Sequence, residues 1–332
     1  MILHLKNTAD KKVADMLAET YEAIVLNQGS TSILITPSRM RTVEARHEQW
    51  IDKLFVFDSD IQLASRQYIR ETRPVKFGDI TIGGESRNCA LIIGPCGVES
   101  EPLIEESAAL IRELGLKSMR AGAYKPRTSP YSFRGMGLDG LKLLAKMREK
   151  YGFAIVTEVR DSTHIDDIIA YADVVQVGAK SMYDHGILQK CSKANKPILL
   201  KRGFGSTLQE FVQASEFILS GGNDQVILCE RGIRTFETKS RFTLDLCGVA
   251  YLKEYTNLPI ILDPSHAMGY AYGVPDLARA CMAMDVDGLL IEVHPNPTIA
   301  KSDASQQLTH EQFRALYKTL QSIATAINRT IV

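Results

Sequence analysis

The 332-residue sequence predicts an α/β protein, a (β/α)8 TIM barrel preceded by a small ferredoxin-like βαββαβ domain. Two observations carry this. From Cys89 onward eight short apolar runs recur between helical segments: CALIIGPC, KSMRAGAY, AIVTEV, VVQVGA, PILLKRG, VILCERG, PIILDPSH and GLLIEVHP. Continuous β-branched runs alternating with helices specify a parallel sheet buried on both faces, and eight of them over roughly 240 residues suit a closed barrel in number and length. Up to about residue 58 the pattern is different, with strands and helices in the split-βαβ order. A doubly wound open sheet is the structural alternative, but it rarely needs eight such units, and no GxGxxG opens a helix here.

The first strand is ILHLK. A helix follows, with Val13, Met16, Leu17 and Tyr21 on one stripe. Strands AIVLN and SILITP come next, then a second helix with Val43, Trp50, Ile51 and Leu54 on its apolar face, then strand LFVF. A polar connector, DSDIQLASRQYIRETRP, leads to VKFGDITIGGE, whose glycines mark a hairpin. The expected division is a ferredoxin-like domain over 1–70 and a barrel with a short N-terminal hairpin over 71–332.

Lys plus Arg and Asp plus Glu each number 39, so the formal net charge is zero. That balance argues against a general nucleic-acid or membrane-surface binder. The start MILHLKNTADKK lacks the basic segment and apolar run of a signal peptide, and no window has the apolar length of a membrane span. Cysteines 89, 96, 191, 229, 247 and 281 show no paired spacing, which reads as reduced thiols in a cytoplasmic protein.

The stretch from Leu114 to Leu138 contains no Asp or Glu, yet it holds Lys117, Arg120, Lys125, Arg127 and Arg134. These cations need an anion from elsewhere. Each apolar run ends in polar residues on the side where barrels carry their sites: Cys96; Arg120 with Lys125; Glu158; Lys180; Lys201 with Arg202; Glu230 with Arg231; Asp263 with His266; Glu292 with His294. Polar strand ends are ordinary taken singly, because strands must emerge into water, and a buried cysteine is usually a small apolar residue. Ring order adds the discrimination. In a closed barrel strands 7, 8 and 1 are consecutive, and they bring His266, Glu292 and Cys96 to one sector with Asp303 in the following loop. A thiol, an imidazole and two carboxylates make a donor set for a divalent metal. The opposite sector collects Arg120, Lys125, Lys180, Lys201 and Arg231. Cations that interrupt apolar strands repel one another unless phosphate or carboxylate lies between them.

The motifs GPCGVES, RAGAYKPRTSPYSFRGMG, LLKRGF, LCERGIRTFE, DPSHAMG and IEVHPNPTIAKSDASQ, in this order across residues 85–325, resemble the metal-dependent 3-deoxy-D-arabino-heptulosonate 7-phosphate (DAHP) synthases of the type I-beta subgroup. The resemblance implies an aldol-like condensation of phosphoenolpyruvate (PEP) with D-erythrose 4-phosphate, releasing phosphate, at the start of the shikimate pathway to the aromatic amino acids. It implies Cys96, His266, Glu292 and Asp303 as ligands of Mn, Fe, Co or Zn. It implies Arg120, Lys125, Lys201 and Arg231 at PEP, and Arg127 and Thr128 at the aldehyde's phosphate. In the chemistry that follows, Lys125 donates a proton to the developing alkoxide, and Glu158 and Glu230 are candidates to orient the attacking water. One position departs from the family pattern: Gly178-Ala179-Lys180-Ser181 stands where Gly-Ala-Arg-Asn is usual, which keeps the charge but loses the planar fork.

The resemblance further implies a homotetramer and a regulatory N-terminal domain that binds an aromatic amino acid, Tyr or Phe; a structural or assembly module is the other reading of that domain. The nearest alternative activity is a related PEP-dependent synthase that uses arabinose 5-phosphate. A non-catalytic effector-binding barrel is the alternative from another class.

Overall fold

The structure is a computed structural model that describes every residue except 30 and 126–130, together with the backbone but not the side chain of residue 28. Strands β1 (Ile2–Leu5), β2 (Ile24–Gln28), β3 (Thr31–Ile35) and β4 (Ile51–Phe55) form an antiparallel sheet in the order β2-β3-β1-β4. This is the strand order of the split-βαβ pattern. Helix α1 (Lys11–Thr20) begins where Asp10 caps the N–H of Val13 at 2.9 Å. Ala14 and Leu17 on the helix, and Tyr21 just past it, close a small core against Leu3, Leu5 and Leu34, while Met16 stays in solvent.

The second helix expected from the sequence is replaced by one short 3₁₀ segment, Ala45–Trp50. Ile51 and Leu54 belong instead to β4, which starts three residues before the LFVF run and pairs with β1. Val43, Trp50, Ile51 and Leu54 mimic a helical stripe only because their spacing spans a turn and the strand behind it. His47, buried inside the turn, is held by the Tyr21 hydroxyl at 2.8 Å.

Hairpin strands β5 (Val75–Phe77) and β6 (Ile80–Ile82) precede the barrel as expected. Val75, Phe77, Ile80 and Ile82 pack against Ala90, Ala154, Val174 and other inward-facing residues, and so plug the N-terminal end of the cylinder. The eight barrel strands are β7 (Asn88–Gly94), β8 (Ser118–Arg120), β9 (Ala154–Val159), β10 (Val174–Val177), β11 (Ile198–Lys201), β12 (Val226–Glu230), β13 (Ile260–Leu262) and β14 (Gly288–Glu292). All pairings around the ring are parallel, and β14 closes on β7 from Gly288↔Ala90 to Glu292↔Gly94. Gly94 has φ +145°, and a Cβ there would lie 2.2 Å from the Arg120 carbonyl, so only glycine lets β7 and β8 approach at this level. A short β15 (Thr330–Ile331) extends the sheet beside β7. The outer ring comprises α2 (Glu101–Glu113), α3 (Leu138–Tyr151), α4 (Ile165–Tyr171), α5 (His185–Lys193), α6 (Leu208–Ser220), α7 (Leu246–Tyr255), α9 (Val274–Ala283) and α10 (His310–Ala326), with the one-turn α8 (Pro264–Met268) following β13. No described helix is long and apolar enough to cross a membrane.

The connector between the two sheets is bonded to the barrel. Glu216 on α6 accepts the backbone N–H groups of Gln62 (2.7 Å), Leu63 (3.2 Å) and Ala64 (2.8 Å). Asn257 donates to the Leu63 and Ser65 carbonyls at 2.8 and 2.9 Å. Gln62 in turn donates to the Thr36 carbonyl, at 2.7 Å, at the end of β3.

Candidate active site

The strand ends meet at the C-terminal mouth. Cys96 follows β7, Glu292 ends β14, and Asp303 lies on the loop after β14. One donor atom from each falls within 4.8 Å of the others, among the described residues the one cluster of this kind. The Cys96 Sγ is 3.2 Å from Asp303 Oδ2. His266, on α8 after β13, stands beside this group with Nε2 3.5 Å from Glu292 Oε1. Its Nδ1 is 2.7 Å from Asp263 Oδ2, without the direction of a hydrogen bond. The structure therefore brings all four expected ligand residues to one sector, three of them tightly and His266 at its edge.

The surroundings suit a cation. Burial, with Glu292 adding to it, pushes the Cys96 thiol up to about 12, so a bound positive ion is what would make this sulfur a thiolate. Burial would raise Glu292 and Asp303 too, yet both are held below the usual carboxylate range, His266 being the strongest of the nearby positive groups responsible. A soft sulfur, an imidazole and two ionised carboxylates fit a divalent transition metal.

Arg120 does not line the cavity as the cation sector suggests. It is buried under the ligand cluster, donating to Glu292 Oε1 at 2.9 Å and to the Pro95 carbonyl at 2.7 Å. Lys125 reaches the cluster from the other side: Nζ is 2.9 Å from the Cys96 carbonyl and 3.0 Å from its sulfur. Lys201 pairs with Asp263 at 2.5 Å. Against its burial, Asp263 is kept well below its ordinary value by His266 and Lys201.

Next to the cluster opens a cavity of about 460 Å³, walled by Lys125, Lys180, Lys201, Arg231, Arg234 and Arg241, with Glu158 and Asp303 as its only carboxylates among the described lining residues. Arg231 lies 4.3 Å over the Phe242 ring, with one buried guanidinium nitrogen that has no partner among the described residues. Burial lowers its affinity for its proton, and Asp263 opposes that shift. Glu158 Oε2 accepts from Gln176 at 3.0 Å, and a Cβ at Gly178 would come within 2.1 Å of Oε1, so the glycine leaves room for that carboxylate at the cavity wall.

Glu230 does not reach the cavity lining. It is fully buried, accepting from Arg202 at 2.9 Å and from the Gly232 N–H at 2.6 Å. Arg127 and Thr128 lie outside the described residues. Arg234, Arg241, Phe204 and Phe242 went unread in the sequence. For the two arginines the cation-rich loop RGIRTFETKSR after β12 was the signal, whereas Phe204 follows β11 and Phe242 comes just past that loop.

Residues 60–329 match the DAHP synthetase I family. A phospho-2-dehydro-3-deoxyheptonate aldolase of Thermotoga maritima is 42% identical over 266 residues, 80% of this chain and 78% of the relative. A 2-dehydro-3-deoxyphosphooctonate aldolase of Thiobacillus denitrificans is 31% identical over 72% of this chain and 91% of its own. The crystal structure of the Thermotoga maritima phospho-2-dehydro-3-deoxyheptonate aldolase (DAHP synthase) superposes with a TM-score of 0.81 at 36% identity, covering 100% of this chain and 99% of that one. A truncated form of the Thermotoga maritima synthase superposes with a TM-score of 0.76 at 38% identity, over 81% of this chain and 98% of that one. With its closed barrel, its thiol–carboxylate cluster and its cationic cavity, the chain is an enzyme and belongs to the DAHP synthetase I family.

Proposed function

We propose that this enzyme condenses PEP with D-erythrose 4-phosphate to give DAHP and phosphate, using a divalent metal held by Cys96, His266, Glu292 and Asp303. Family membership carries the joining of PEP to an aldose phosphate; the acceptor and the metal are our reading. One observation supports it above the rest: a thiol–carboxylate cluster faces a cavity with six cationic walls, which suits two reactants that together bring two phosphates and a carboxylate.

Arg231, Lys180 and Lys201 neutralise PEP, with Arg231 held flat by Phe242. Arg127 and Thr128 bind the phosphate of the aldehyde. When bound, the divalent ion supplies Lewis acidity to the aldehyde oxygen. The methylene carbon of PEP forms the new bond to the aldehyde carbon. Lys125, whose ammonium sits at the Cys96 edge of the cavity, gives its proton to the oxygen that becomes an alcohol. Water then adds to the second carbon of PEP and phosphate leaves. Glu158 orients that water, since its carboxylate lies at the wall between β9 and β10. Arg120, expected at PEP, is paired with Glu292 and so also holds that carboxylate in place.

Phosphate release from PEP, measured with erythrose 4-phosphate and with arabinose 5-phosphate and repeated with a chelator, tests this reading. Release that needs erythrose 4-phosphate and disappears with the chelator is expected. Preference for the pentose phosphate would move the enzyme to the octulosonate activity, and release indifferent to chelation would remove the metal. No release with any aldehyde would favour a non-catalytic effector-binding barrel.

We further propose that residues 1–70 form a regulatory unit binding Tyr or Phe within a cytoplasmic homotetramer, and that residues 71–332 form the catalytic unit. The four-stranded sheet tied to the barrel through Gln62 and Glu216 supports a mechanical link. If full-length enzyme is indifferent to both amino acids, the N-terminal unit serves assembly instead.

A further inference from the structure

Two consecutive glutamines, Gln306 and Gln307, lie between Asp303 and α10 and are only 1% exposed. All four of their amide atoms are used, and each reaches a different partner. Gln307 Oε1 accepts the Cys96 N–H at 2.9 Å, and its Nε2 donates to the Ser302 carbonyl at 2.9 Å. Gln306 Nε2 donates to Glu292 Oε2 at 2.6 Å, and its Oε1 accepts from Arg241 Nη1 at 2.8 Å. Reversing either amide would set donor against donor and acceptor against acceptor, so the orientations are dictated by the partners. Between them the pair joins the loop after β7, the end of β14, the loop that carries Asp303, and the cavity cation Arg241. Asp303 itself has φ +46°, a left-handed conformation that aspartate adopts more readily than most residues with a Cβ.

We propose that Gln306 and Gln307 are positioning residues that preset the three tightly grouped metal ligands. Gln307 sets the separation of Cys96 and Asp303 by holding the backbone of one and the residue before the other. Gln306 aims Glu292 and couples it to Arg241. This rests on the metal reading above. Neither glutamine donates an atom to the ion; each restricts where the donors stand, as outer-shell partners of metal ligands do.

Cobalt(II) titration of the full-length protein tests it, following the sulfur-to-cobalt absorption that reports Cys96 as ligand. Gln307→Leu is expected to weaken cobalt affinity by roughly 10- to 100-fold. If that variant does not fold, Gln307→Glu carries the same test, since it keeps the acceptor for Cys96 but turns an oxygen on the Ser302 carbonyl. Thr309→Ala is the control: it removes the capping box of α10, where Thr309 accepts the Gln312 N–H at 3.1 Å, and lowers the melting temperature without touching the pair. Retained cobalt affinity in Thr309→Ala supports positioning. An affinity loss there that tracks the lost stability, or Gln307 variants within twofold of the natural protein, would overturn it. Absence of the sulfur-to-cobalt band in the natural protein would remove the metal reading and the positioning role together.

Discussion

Arg120 and Glu292 are a fully buried ion pair, with Nη1 2.9 Å from Oε1, and the guanidinium also holds the Pro95 carbonyl one residue before Cys96. The pair thus ties β8 to both strands of the β7–β14 seam at its C-terminal end. Arg120→Met would strand a buried carboxylate and cost about 3–5 kcal/mol. Guanidinium denaturation checks this; a loss under about 1 kcal/mol, the range of a surface pair, would mean that His266 and Gln306 alone can hold Glu292.

Lys125 is the proposed proton donor, and its contacts with Cys96 locate it at the thiol edge of the cavity. Lys125→Met should lower kcat by about 10²–10⁴, with the circular dichroism spectrum unchanged. Turnover within tenfold of the natural enzyme would assign the proton to another group.

Lys180 lines the cavity from the turn after β10, where the family pattern has arginine. Lys180→Arg restores a planar fork able to grip phosphate with two bonds. A several-fold fall in the KM for PEP is the expected result. Loss of activity instead would show that this site is tuned to lysine, pointing to a different acceptor or a specialised role.

Glu216 governs a pH dependence of stability. Burial pushes its carboxyl up from 4.5 to about 7, even though the backbone donors of Ala64, Gln62 and Leu63 favour the charged form. An acid with a raised folded-state pKa stabilises the fold fully below its unfolded value, and that contribution is lost as pH rises through about 7. The change is at most roughly 3 kcal/mol between pH 4.5 and 8. Glu216→Gln should flatten the slope in denaturant melts at those two pH values; an unchanged slope would place the titration elsewhere.

The barrel was legible because its strands are buried on both faces and therefore apolar without interruption. The runs ending at Glu230 and Glu292 announce themselves as strands and announce their ends by a charge, and Asp263 does the same directly after the run ending at Leu262. The thiol–carboxylate cluster was legible through ring closure, since pairing strand 8 with strand 1 makes Cys96 and Glu292 neighbours. The second N-terminal helix was misread because Val43, Trp50, Ile51 and Leu54 keep helical spacing while the chain passes from a turn into a β4 strand that pairs with β1.

Sequence alone determined the eightfold alternation, the family motifs and the residues able to hold a metal, because local periodicity and charge placement are properties of short segments. Tertiary structure decided which charges border the cavity and which lie behind its wall. Arg120 and Glu230 look identical to Arg231 and Glu158 along the chain, yet the first two are spent on buried partners and the others border open space. That difference depends on what lies across the barrel, and side chains far apart in the chain, such as Gln307 and Cys96, meet only once the cylinder has closed.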